Sequence, residues 1–124
     1  MNLRPSFFLL FVGCGAVPQS GDVLAFTHES GSYSWRRHCV PSGDMKRVRG
    51  VLRTGPFGKG GDGTYLESAG TKWAVDYRSS AQHRALSGRL VEATGRDCSP
   101  QGQSLVIPHF DIQTLTVLEC SETR

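Results

Sequence analysis

The stretch from Lys46 to Tyr77 constrains the fold more than any other part of the chain. "KRVRGVLRT" (Lys46–Thr54) alternates, with Val48, Gly50 and Leu52 on one face and Arg47, Arg49, Val51 and Arg53 on the other. A two-residue period is that of a β-strand with one face toward a core, and here the opposite face is basic. Glycine in mid-strand marks a bend or bulge, and Gly50 holds that position. After the turn-rich "GPFGKGGDG" (Gly55–Gly63), "TYLES" (Thr64–Ser68) and "TKWAVDY" (Thr71–Tyr77) flank Ala69-Gly70. Two short alternating runs around a two-residue turn predict a hairpin, with Trp73, Val75 and Tyr77 on one face and Lys72, Ala74 and Asp76 on the other. Glycine makes up 15 of the 124 residues and the apolar runs are short, which favours many strands over long helices.

Downstream, Ser79 and Gln82 have capping-box spacing, and Ala81, Ala85 and Leu86 follow at helical spacing. Gly88 stands where a left-handed helix C-terminus belongs. "RLVEATGRD" (Arg89–Asp97) resumes strand alternation and "CSPQGQ" (Cys98–Gln103) is a turn. "SLVIP" (Ser104–Pro108) and "IQTLTVLE" (Ile112–Glu119) then read as a last strand interrupted near Pro108. The order is β-β-β-α-β-β. With Val48-Arg49-Gly50-Val51-Leu52 leading into the hairpin and Val91-Glu92-Ala93-Thr94-Gly95 after the helix, this order resembles the oligonucleotide/oligosaccharide-binding (OB) fold. That fold is a five-stranded Greek-key barrel. It is also similar to small OB-type domains of bacterial envelope proteins. The resemblance covers roughly Lys46 to Glu119, and places a mainly β barrel with one short helix at 39–120 and a tail at 121–124. It also implies a disulfide. Strand one lies antiparallel to strand four, which brings Cys39 near Cys98; Cys39–Cys120 is the alternative.

The N-terminus, "MNLRPSFFLLFVGCGAV", has one positive residue and then an apolar run, far short of the ~20 residues that span a membrane. Phe11-Val12-Gly13-Cys14 resembles the bacterial lipobox. The resemblance implies removal of residues 1–13 as a signal peptide and acylation of Cys14. Gly15, where inner-membrane lipoproteins carry Asp, implies the periplasmic face of the outer membrane. The alternative is a plain secretion signal and a soluble periplasmic or secreted product. Residues 14–38 are rich in Gly, Ser and Pro and read as a flexible tether, in which "DVLAF" (Asp22–Phe26) is a short strand or packing segment. With Cys14 acylated, three cysteines remain, giving one disulfide and one free thiol in an oxidising compartment.

Chemistry-bearing patterns are sparse. No cysteine pair has CxxC spacing, and adjacent His38 and Cys39 are not a favoured metal spacing, with His28, His83 and His109 scattered elsewhere. No metal and no cofactor are expected. "GPFGKGG" lacks the phosphate-loop spacing, there is no G-x-S-x-G elbow, and no paired carboxylates suggest acid–base work. A non-enzymatic role follows. The net charge of +3 is small for a protein that neutralises phosphates. Arg47, Arg49 and Arg53, joined by Lys72, form the candidate ligand face, with Trp35, Arg36 and Arg37 available for stacking and Trp73 expected in the core. The expected role is a membrane-tethered binding or accessory module of the bacterial cell envelope, whose partner is an envelope protein, a glycan or another polyanion. The alternative is a periplasmic or secreted OB-fold protein that binds nucleic acid.

Overall fold

A computed structural model describes residues 19–28, 35–56, 61–100 and 107–120, with only the backbone described at 36, 37, 119 and 120. The signal peptide and Cys14 lie outside the described residues, as do the side chains of Arg36, Arg37 and Cys120. The chain is mainly β. Its elements are β1 (Val23–Ala25), α1 (Trp35–His38), β2 (Cys39–Pro56), β3 (Asp62–Ser68), β4 (Thr71–Asp76), α2 (Ala81–Leu86), β5 (Arg89–Pro100) and β6 (His109–Cys120).

The six strands form one sheet in the order β1-β6-β4-β3-β2-β5, and β5 also pairs with β6. Strands β2, β3, β4, β6 and β5 thus make a circuit of pairings that returns to β2. All pairs are antiparallel except β4–β6, which meet in parallel at Ala74 and His109. The long strand β2 belongs to two neighbours. Its first part pairs with β5 and its last part, from Val51 on, pairs with β3. Gly50 sits at the handover, where a Cβ would collide with the Glu67 carbonyl. Gly95 plays the same role between β5 and β6, where a Cβ would strike the Asp111 carbonyl beside a shift in register.

The hairpin forms as its sequence predicts. Ser68 pairs with Thr71, and both turn residues have positive φ, 47° at Ala69 and 83° at Gly70. Two-residue turns of this hand match the twist of the flanking strands.

Several boundaries differ from the sequence expectation. β2 begins at Cys39 rather than Lys46, because Cys39–Ser42 pair with Asp97–Pro100 ahead of an irregularity between Ser42 and Lys46. The helix is capped by Ser80, not Ser79, so the capping-box partner is His83 and not Gln82. Starting the helix at Ala81 turns Gln82 toward β1, where its amide donates to the Ala25 carbonyl and accepts from the Thr27 N–H. The expected left-handed glycine is present: Gly88 has φ of 89° and its N–H donates to the Leu52 carbonyl at 2.7 Å. β6 begins at His109, after Pro108, so Ile107 and Pro108 lie outside the strand; residues 104–106 are not described.

The sheet has six strands, not five, because β1 lies within the segment whose composition suggests a tether. Val23, Leu24 and Ala25 pair with Thr116, Leu115 and Thr114. Main-chain bonds extend the docking on both sides, from Gly21 to Val117 and from Phe26 to Gln113. Phe26 is buried against the main core of Leu52, Leu66, Val75, Val91, Phe110, Ile112, Leu115 and Val117.

A second core covers the other face of β3 and β4 and is built from Trp35, Cys39, Tyr65, Ala74 and Cys98, flanked by Tyr77 and Ile107. Trp73 and Val75 pack on the main core as expected. Tyr77 packs on the second instead, because β4 ends at Asp76 and the alternation ends with it. Cys39 and Cys98 are joined by a disulfide, with Cα atoms 5.3 Å apart, so Cys39 is not joined to Cys120.

Candidate functional site

The second core has a polar side, and there the chain concentrates its titratable groups. Asp76 ends β4 and Asp111 is near the start of β6, and both are almost completely buried. Carboxylates in such a place are costly unless partnered. Asp76 accepts from His28 Nδ1 at 3.0 Å and from the Arg78 N–H at 3.2 Å. Asp111 Oδ1 accepts from Trp35 Nε1 at 3.1 Å, and His28 Nε2 lies 3.8 Å from the same oxygen. His28 is therefore held between two buried carboxylates. Asp111 Oδ2 has no hydrogen-bond partner among the described residues.

Trp35 is fully buried and its ring lies nearly parallel to two imidazoles. Its ring is 5.9 Å from that of His28 and 5.6 Å from that of His109, with interplanar angles of 7° and 12°. Tyr77 meets it edge-on at 4.9 Å. His109 Nδ1 donates to the Ile107 carbonyl at 2.8 Å, which leaves Nε2 to accept from the Tyr77 hydroxyl at 2.9 Å. Burial lowers the pKa of His109 and raises that of Tyr77, so each is held neutral.

On the far side of His28, His83 Nε2 donates to the Thr27 carbonyl at 2.6 Å, and its Nδ1 accepts from the Ser80 N–H at 3.2 Å. Phe26 stacks on its ring at 4.4 Å. Burial lowers the His83 pKa, opposed by the nearby charge of Asp76. His38 approaches Tyr77 edge-on. All four histidines of the chain, scattered in sequence, are thus linked through the rings of Phe26, Trp35 and Tyr77.

Its hydrogen bonds tie the N-terminal segment to β4 and β6 through Asp76 and Asp111. Among the described residues no group of three His, Cys, Asp or Glu side chains is arranged to hold a metal ion. Trp35, expected to offer a stacking surface, is buried and cannot.

The four basic residues of the candidate ligand face are exposed but do not form one uniform patch. Arg49 lies 3.7 Å from Glu92 on β5, whereas Arg53 donates to Glu67 on β3 at 2.9 Å. Lys72 sits 4.1 Å over the ring of Tyr65, whose hydroxyl donates to the Pro56 carbonyl. Arg53 and Lys72 therefore meet around Glu67, beside an open depression of about 330 Å³ at the β3–β4 turn. Arg49 faces the other neighbour, and Arg47 is in register with Thr94. Lys46, outside the expected set, pairs with Asp97 at 2.9 Å. The result is a surface of mixed sign.

Comparison with known proteins finds no matching family model, no matching curated protein and no matching solved structure.

Proposed function

We propose that the chain is an OB-type barrel serving as a non-enzymatic, lipid-anchored binding module of the bacterial envelope, with a protein as its partner. The observation that carries this reading is the circuit of pairings β2-β3-β4-β6-β5-β2, with α2 between its third and fourth strands in chain order. Five strands closed in this order, with a helix at that point, are what the OB resemblance implies. The Cys39–Cys98 disulfide supports an oxidising compartment.

OB modules bind ligands on the face of their second and third strands, here β3 and β4, and on the flanking loops. Much of that face lies beneath Trp35 and Tyr77, which leaves the rim around Arg53, Glu67 and Lys72 for contact. Because Arg53 is paired with Glu67, this rim suits a partner of mixed charge better than a polyanion. Capture from detergent-solubilised envelope membranes at rising salt tests the reading. Retention of a defined protein with little salt dependence is the expected result. Binding to single-stranded nucleic acid that weakens with a log–log slope of about −0.7 per phosphate contact would establish the alternative instead.

A further inference from the structure

We propose that the end of the domain formed by the start of β1 and the end of β6 rests against the bilayer, and that the disulfide end points away from it. The inference builds on the lipid-anchored reading above and adds an orientation to it. The composition of residues 14–38 suggests a long tether, which over the 21 steps from Cys14 to Trp35 would reach about 70 Å. The chain, however, docks much earlier. The Gln19 N–H donates to Asp22 at 2.9 Å, Gly21 donates to the Val117 carbonyl at 2.7 Å, and Val117 donates to the Asp22 carbonyl at 2.9 Å. From there the segment stays bound through the β1–β6 ladder, the buried Phe26 and three hydrogen bonds with Gln82. Only residues 15–18 separate Cys14 from Gln19, so an acyl group on Cys14 lies within about 17 Å of the docked chain.

That reach is shorter than the domain. β1 runs antiparallel to β6, so its start lies beside the end of β6, where Cys120 pairs with Arg89 at the start of β5. β5 has 12 residues, about 40 Å of strand, and its other end carries Cys98 and the pairing of Pro100 with Cys39. A bilayer within reach of Gln19 is therefore within reach of the near end of β5, and an upright domain holds the other end away from it. Val23, 66% exposed, lies at the near end, and the exposed Val40 and Met45 lie on the part of β2 that pairs with the far half of β5.

The test uses the acylated protein in lipid nanodiscs of phosphatidylethanolamine and phosphatidylglycerol doped with a gadolinium-chelating lipid. Amide NMR signals are compared with and without gadolinium. Attenuation should be several-fold stronger at Ser20–Val23 and Val117–Leu118 than at Val40 and Ser99. Inserting a long Gly/Ser linker between Pro18 and Gln19 should remove that gradient. Uniform attenuation in protein whose acylation is verified by mass spectrometry would overturn the orientation and leave the anchor standing. A mature protein with an unmodified Cys14 would overturn both.

Discussion

Removing the Cys39–Cys98 disulfide should cost a large part of the stability of this domain. The bridge joins residues 59 apart in sequence and ties the start of β2 to the end of β5. In the chain-entropy treatment a closed loop of that length lowers the entropy of the unfolded chain by about 14 cal/mol/K, which is about 4 kcal/mol at 25 °C. Small domains have net stabilities of only about 5–15 kcal/mol. For a domain of this size 4 kcal/mol corresponds to a fall of roughly 15–25 °C in Tm. The Cys39→Ala/Cys98→Ala variant, followed by circular dichroism against temperature and urea, measures the effect. The urea slope should rise, because the unfolded chain becomes more expanded. A loss below about 1 kcal/mol would refute the reasoning, since it would mean that the unfolded chain keeps the two ends together without the bridge.

Gly50→Ala and Gly95→Ala should each destabilise by about 2–3 kcal/mol in urea titration, because the added methyl meets a backbone carbonyl that a neighbouring strand holds in place. Ala69→Gly should stabilise by about 0.5–1 kcal/mol in the same assay, since Ala69 is the one described non-glycine residue with positive φ. His83 and His109 have pKa values held below the ordinary 6.5, so the unfolded chain takes up protons first as the pH falls. Their contribution is complete above about pH 6.5 and is lost progressively below it. Thermal midpoints from pH ~7.5 to ~5 should fall accordingly, and His83→Gln should flatten that fall; an unchanged slope would show that His83 is not the group responsible.

What could be read from the sequence was whatever a local pattern encodes. The β3–β4 hairpin, the element order from β2 on and the glycine after α2 each depend on a few adjacent residues, whereas Gly50 marks a close approach to the Glu67 carbonyl and its pairing with β5 runs unbroken. The pairing of Cys39 with Cys98 came from the implied strand order and agrees with the structure. The first part of β2 was hidden because Val40–Arg47 are exposed on both faces, so no alternation marks the strand. β1, within the "DVLAF" that reads as a short strand or a packing segment, is three residues long, too short for a period to decide between the two. The cluster of Asp76, Asp111, Trp35 and the histidines was hidden for a different reason. Its members are brought together only by the meeting of β4 and β6 and the crossing of the N-terminal segment, and no spacing in one dimension carries that. The one available signal was polar His109 and Asp111 alternating with apolar Phe110 and Ile112, which marks a strand with two unlike faces. The basic face was legible as exposed arginine but not as a site, because the acids that neutralise it come from other strands.

We propose above an anchored module that binds a protein of the envelope. Cross-linking of the acylated protein in intact envelope membranes, with mass spectrometry of the products, tests it most directly. A reproducible protein partner linked near Lys72 is expected, lost when Arg53 and Lys72 are both changed to Ser in a protein that still folds. Cross-links spread evenly over the surface and unchanged in that variant would contradict it.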